Sequence, residues 1–165
     1  MSSDVEGLVV VMTAKFGPFY RAEHEAQVRR AFLMLGCQAL AHDVVADAFA
    51  AVLARWTDIN EPGPYLNRCV LNGCRDAAKR ASREELTSEL PEAGARDAVD
   101  EMAGLLLDLP FRQRAAVVLR FYGQQTEAEI AEALDCATGT VGSLIHRGLA
   151  ALRRELSDDR EDGSR

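Results

Sequence analysis

The stretch FRQRAAVVLRFYGQQTEAEIAEALDCATGTVGSLIHRGLAALRR, residues 111–154, decides how the rest of the chain is read. It predicts three helices in a row, the last two joined by a tight turn. Thr126 stands three residues before Glu129, the Thr-x-x-Glu spacing of a capping box, in which hydroxyl and carboxylate each take an orphan amide of a helix start. Ile130, Ala131 and Leu134 then give one short apolar face. Asp135-Cys136-Ala137 is a break, and a further helix starts near Thr138 with Val141, Ile145, Leu149 and Leu152 on its apolar side. Two short helices so joined pack at a steep angle and push the second outward, the geometry of a helix-turn-helix that enters a major groove. An ordinary helical hairpin has the same pattern, so spacing alone leaves both readings open.

The remaining chain also reads as helical. Val28, Ala31, Phe32 and Leu35 place a helix over Pro18–Leu35, stopped by Gly36. A second helix, about Ala39–Trp56, carries Val45, Ala48, Phe49, Val52, Leu53 and Trp56 as an apolar stripe, with Asp43 and Asp47 one turn apart near its start. A Pro/Gly break, TDINEPGP, precedes a third helix with Pro64 as its first residue. That helix points Tyr65, Leu66, Cys69, Val70, Gly73 and Ala77 inward. From Tyr65 to Arg83 it holds five bases and one acid, the most basic run of the chain, with Trp56, Tyr65, Asn67 and Asn72 able to stack on or hydrogen-bond to bases. A solvated basic face is the plainer alternative. Residues 85–96, ELTSELPEAGAR, lack apolar periodicity and read as a flexible acidic linker that lets the halves move independently. The expected plan is all-α, with two small helical domains: a tail over 1–14, a domain over 15–84, the linker over 85–96, a domain over 97–156, and a disordered acidic tail over 157–165.

The net charge of −7 argues at first against nucleic acid, but its placement reverses that. Glu84 to Asp108 holds eight acids and one base, and Glu155 to Arg165 five acids and two bases. Of the chain's 26 acids and 19 bases, 13 acids and 16 bases then remain for the folded parts, which are mildly basic. Cys37, Cys69, Cys74 and Cys136 form no C-x-x-C pair, and His24, His42 and His146 lie far from any Cys cluster, so reduced thiols are expected and zinc is not. There is no Gly-rich phosphate loop, no catalytic constellation and no apolar run approaching a membrane span, so an enzyme, a cofactor, a small-molecule substrate and direct membrane contact are not expected, and a cytoplasmic location is.

Two blocks carry a family resemblance. AHDVVADAFAAVLARW followed by PGPYLNRCVLNGCRDAAKR resembles the second domain of the extracytoplasmic-function (group IV) sigma factors of bacterial RNA polymerase. LLLDLPFRQRAAVVLRFYGQQTEAEIAEALDCATGTVGSLIHRGLAAL is similar to their fourth domain, including the LP-x-x-QR opening and the GTV start of the recognition helix. Together with order, spacing and the acidic linker, the likeness covers about four fifths of the chain. It implies a subunit that binds core RNA polymerase and directs it to promoters, not itself an enzyme. Asp43, Asp47 and Phe49 would dock on the β′ clamp helices. Trp56, Tyr65, Arg68, Asn72, Arg75, Lys79 and Arg80 would contact the −10 element and help hold melted DNA. Thr126, Thr138, Thr140, Ser143, His146 and Arg147 would read the −35 element, with the far side of that domain on the β flap. Family members are commonly held silent by an anti-sigma factor, for which the linker leaves room.

The chain departs from the family pattern at Gly142, usually Lys or Arg, and at Leu144, often Arg, leaving Arg147 as the one fixed cation on the outer face of the recognition helix. Gly142 also costs about 1 kcal/mol of helix stability against Ala. Weak −35 binding by this domain alone, with affinity supplied by tethering on the polymerase, is therefore expected. Ala46-Asp47 replaces a frequent Gln-Glu pair, keeping the charge but shortening the reach. Two other readings stay open: a sigma-like interaction module that binds polymerase or an anti-sigma factor without reading promoters, and a conventional helix-turn-helix regulator.

Overall fold

A computed structural model describes residues 2–84 and 98–162, and within them the chain forms seven α-helices. They are α1 (Ser2–Leu35), α2 (Gln38–Ala54), α3 (Pro62–Glu84), α4 (Ala98–Leu107), α5 (Phe111–Phe121), α6 (Glu127–Leu134) and α7 (Thr138–Asp162). The expected linker, 85–96, lies outside the described residues.

In the front unit, α1, α2 and α3 pack pairwise around Leu33, Met34, Val45, Val52 and Leu66, all essentially without solvent exposure. Gly36, at φ 67°, ends α1 in the left-handed conformation that glycine adopts without a Cβ penalty. Gly73 lets α2 and α3 close up, since a Cβ there would lie 2.7 Å from Cγ1 of Val44. Phe16, Phe19, Tyr20, Phe49 and Trp56 form an aromatic cluster between α1 and α2, with Phe16 and Trp56 edge-to-face at 5.2 Å between ring centres.

The back unit has an aliphatic core, with Leu106, Leu119, Ile130 and Leu152 among its buried side chains. Ala115, Ala116, Val117 and Val118 of α5 are buried against Ile130 of α6 and Val141 of α7. Gly148 seats α7 on α5, where a Cβ would meet Cγ2 of Val117 at 2.8 Å. The capping box forms: Thr126 N–H and Oγ1 donate to Glu129 Oε2 at 2.7 and 2.8 Å, and Glu129 N–H donates to Thr126 Oγ1 at 3.3 Å. Asp135, at φ 50°, takes the left-handed position that ends α6.

Several expectations are corrected. Residues 2–14, read as a tail, are the first turns of α1, which runs through Pro18. Proline removes one intrahelical hydrogen bond, a loss that helical residues on both sides can carry. The third helix begins at Pro62, two residues before Pro64, and buries Leu71 and Cys74 together with Leu66, Val70 and Ala77 of the expected stripe, while Tyr65, Cys69 and Gly73 are half-buried. Leu53 is exposed at 42%. Residues 157–162 continue α7, no helix breaker intervening before Gly163.

The largest difference concerns the two halves. An acidic linker implies independent units, yet one continuous buried cluster runs through both. α4 packs more extensively against α1 than against α5 or α7, with Ala103 and Leu106 buried. This apolar helix, the first of the back half in sequence, is packed in space on the front one.

Candidate nucleic-acid and polymerase interface

On α3, Tyr65, Arg68, Asn72, Arg75 and Lys79 fall at successive three- and four-residue steps and so share one face. Arg68, Arg75 and Lys79 are exposed, while Tyr65 and Asn72 are half-buried. Asn72 Oδ1 accepts a hydrogen bond from Arg75 at 3.0 Å, and the Arg55 guanidinium lies 5.8 Å from the centre of the Tyr65 ring. This row joins fixed positive charge to an amide and an aromatic edge, the side-chain set that tracks a phosphate backbone and holds unpaired bases.

Three residues of the front unit expected to touch bases, Trp56, Asn67 and Arg80, have other occupations. Trp56 is half-buried against Phe16 and Phe19, so only part of its ring is open. Asn67 turns inward: its Oδ1 accepts from Gln27 Nε2 at 2.7 Å and from an Arg30 guanidinium nitrogen at 3.2 Å. Gln27 and Arg30 are both buried, and burial lowers the Arg30 pKa, with Glu23 opposing at 3.8 Å. Neither was singled out from the sequence, because a polar pair three apart beside an apolar stripe reads as surface until α3 is placed over it. Arg80 sits away from the row and lines a groove of about 400 Å³ between α2 and α3, together with Asp43 and Asp47.

Asp43 and Asp47 are exposed on α2, one turn apart as expected, beside the exposed Leu40. Phe49 is only 3% exposed, in the aromatic cluster, so it supports that helix from behind and offers no docking surface.

On α7, Thr138, Thr140, Ser143, His146 and Arg147 are all exposed, as a base-reading face requires. Thr126 is exposed too, but its hydroxyl is committed to the cap. Leu144 is 8% exposed, so its departure from the family pattern adds a core contact and takes no cation from the outer face. Gly142 faces the start of α6, where a Cβ would lie 3.9 Å from the Glu127 carboxylate oxygens. The exposed Phe121 and Tyr122 end α5.

Cys74 is buried and its thiol is pushed up to about 12 by burial; burial also raises Cys69. Among the described residues no group of three or more His, Cys, Asp or Glu could hold a metal ion, and no helix is long and apolar enough to cross a membrane.

Two helical units, one with a basic helical face and one with an outward-facing helix-turn-helix, define a class of protein that grips nucleic acid at two places. The matches to known proteins narrow the class. Residues 19–84 match the family model of sigma-70 region 2 and residues 100–152 that of sigma-70, region 4. The chain is 34% identical to RNA polymerase sigma-E factor of Streptomyces coelicolor over 86% of each protein, and 33% identical to the Streptomyces avermitilis sigma-E factor over 86% of this chain and 85% of that one. Over 32% of its length it is 42% identical to the ECF RNA polymerase sigma factor SigW of Bacillus subtilis. The fold is shared with CnrH, solved with the cytosolic domain of CnrY (TM-score 0.69, 24% identity, 92% of this chain and 96% of that one). It is shared too with the sigma factor RpoE of Bartonella quintana, solved with the anti-sigma factor NepR (TM-score 0.65, 18% identity, 95% and 98%). The chain belongs to the extracytoplasmic-function group of the sigma-70 family, and it is a sigma factor that directs transcription to promoters.

Proposed function

We propose that the α3 row Tyr65, Arg68, Asn72, Arg75 and Lys79 contacts the −10 element, and that Thr138, Thr140, Ser143, His146 and Arg147 of α7 face the −35 element. The observation that carries the first assignment is the shared face of exposed cations and half-buried amide and aromatic groups on one helix. Stacking an unpaired base on an aromatic face contributes about 1–3 kcal/mol, enough to help hold a melted strand. Trp56 contributes through its open edge, and the Asn67–Gln27–Arg30 network fixes the rotation of α3 on α1 so that the row points outward.

Asp43 and Asp47, with Leu40 beside them and Arg80 across the groove, form the docking surface for the β′ clamp helices of core polymerase. Thr126 acts on the −35 side only indirectly, by fixing the start of α6. Among Thr138, Thr140, Ser143, His146 and Arg147 of α7 only Arg147 is a fixed cation, so −35 affinity depends on the tether through polymerase. The chain supplies specificity and the polymerase supplies the chemistry; it is not an enzyme and works in the cytoplasm. The relatives solved with CnrY and NepR support an anti-sigma partner.

The test is reconstitution with sigma-free core polymerase and fragmented host DNA, mapping transcript 5′ ends. Discrete starts sharing −10 and −35 motifs are expected, and Asn72→Ala and Arg147→Ala should each depress them. Co-elution with core without discrete starts would favour an interaction module, and indifference to both substitutions would overturn the residue assignments.

A further inference from the structure

The aromatic cluster of the front unit ends in two histidines that neither the DNA faces nor the docking acids use. His24 of α1 and His42 of α2 are 18 residues apart in sequence. The packing of α1 on α2 brings their rings to 6.1 Å between centres, tilted by 37°. His24 is half-buried and held on two sides: the Tyr20 ring, one turn earlier, lies 4.9 Å away, and Phe49 lies near-parallel to it at 6.1 Å. His42 is exposed. One imidazole is thus fixed by packing while the other is free to turn toward it. Among the described residues no hydrogen bond or ion pair engages either ring, so their nitrogens are uncommitted.

We propose that His24 and His42 form a two-imidazole site for a borderline divalent transition-metal ion (zinc, nickel or copper(II)) that bridges α1 and α2. The spacing suits one shared ion. With metal–nitrogen bonds of about 2.0–2.1 Å, two imidazoles on one ion have ring centres about 4.5–6.5 Å apart, from right-angled to opposed ligation. The observed separation lies inside that range, and rotation of the exposed His42 shortens it toward the tetrahedral value. The donor set selects the ion. Imidazole suits zinc, copper and nickel, whereas magnesium and calcium need oxygen ligands, and no third His, Cys, Asp or Glu of the described residues joins the pair. Water takes the remaining positions, so the ion exchanges, unlike one in a closed four-ligand structural site.

Local charge favours a cation here. Within four residues of either histidine the chain has Glu23, Glu25 and Asp43 but only one base, Arg21. The Arg21 guanidinium lies over Gly17, two turns before His24. Because the ligands come from different helices, the fold holds the second imidazole at high effective concentration once the first has bound. Occupancy braces the seam between α1 and α2, so the stability of the front unit follows the supply of metal. Cys and His spacing conceals such a site, since tertiary packing alone brings the two rings together. The pair lies outside the −10 and −35 faces, and its test needs neither polymerase nor DNA.

The full chain, freed of metal and kept reduced, is titrated with zinc alone and with nickel alone. Zinc should occupy one site and raise the melting temperature by roughly 3–6 °C at about tenfold excess over its dissociation constant. Magnesium should give no shift. His24→Phe keeps a ring against Tyr20 and Phe49 but removes the ligand nitrogens, and His42→Ala changes an exposed side chain. Each should weaken zinc at least about tenfold and abolish the thermal shift. Nickel, whose unpaired electrons shift and broaden nearby resonances, should act on the ring signals of His24 and His42 together and spare the exposed His146 of α7. No saturable binding, or zinc affinity unchanged in both variants, overturns the site; the second result places the ion on the thiols. Nickel acting on His146 as strongly as on the pair overturns chelation in favour of single surface imidazoles. Should a variant fail to fold, the nickel map of the wild type decides alone.

Discussion

The two halves solve the same packing problem with different materials. The front unit fills its centre with Leu33, Met34, Leu66 and an aromatic cluster, and ties α1 to α3 through buried Gln27, Arg30 and Asn67. The back unit is assembled from aliphatic side chains, among them Ala115, Val118, Leu119, Ile130 and Leu134, over a glycine crossing at Gly148, and takes its order from a surface cap at Thr126. Larger side chains remove more apolar area from water and leave larger cavities when cut. The front unit is cross-braced by its aromatic cluster and its buried polar network and so fixes a row of charges. The back unit presents a reading face whose contribution to DNA affinity depends on being held in place.

The contrast is most exposed to failure in the cores. Leu66→Ala should cost about 2–5 kcal/mol in urea unfolding, and Val118→Ala, which removes two carbons from the back core rather than three, about 1–3 kcal/mol. Equal losses would show that the back core is as demanding as the front. Next in size, Asn67→Ala strips the shared acceptor from Gln27 and Arg30 and should cost about 1–3 kcal/mol. It should also lower −10 binding more than the stability loss explains, because α3 loses its fixed rotation. Unchanged fork-junction affinity of the holoenzyme would reduce that network to a purely structural one.

These cases also show what a sequence holds. The α6 cap, the turn at Asp135 and the start of α7 at Thr138 were legible because capping and turn chemistry are local, involving residues three or four apart. The exposed reading faces of α3 and α7 were legible from charge and period. Asn67 was not, since its partners lie 37 and 40 residues away on another helix, and an asparagine in a basic run looks like a base contact. Phe49 was misplaced because an apolar residue beside two acids can face either way until α1 supplies Tyr20 and Phe19. Leu144 reads as a lost cation when the period of α7 is centred on Ile145, which is half-buried, one step from the buried Leu144. Arg114 showed only as a motif letter; its seat on α1 is 80 residues away.

A smaller effect sharpens the contrast in DNA contact. Gly142→Lys adds a cation to the lightly charged α7 and removes a glycine that costs about 1 kcal/mol of helix stability relative to Ala. One added phosphate contact would steepen the salt dependence of promoter binding by nearly one logarithmic unit per decade of salt. Here the Glu127 carboxylate, 3.9 Å from where the new Cβ would stand, competes for the ammonium. The expected gain is thus a fraction of a unit in a salt titration of the holoenzyme on duplex −35 DNA, and Gly142→Lys/Glu127→Gln should recover most of the remainder. If the single variant already gave the full unit, Glu127 would not be restraining this face.

The smallest effect separates the halves by pH. The Thr126 amide and then the Thr126 hydroxyl, both donating to Glu129, hold its carboxyl below the ordinary value of 4.5. A carboxyl whose pKa is lower folded than unfolded contributes stability that is present above the unfolded value and lost as pH falls through the folded one. Acidification below about 4.5 should therefore fray the start of α6 first. Gln27 and Asn67, which tie α3 to α1, are amides that do not titrate there. In hydrogen exchange, the amides of Thr126 and Glu129 should lose protection in that window while those of α3 keep theirs, and Glu129→Gln should abolish the pH step in α6 without touching α3. Simultaneous loss in both helices would mean that the cap does not act locally and that the two units melt as one.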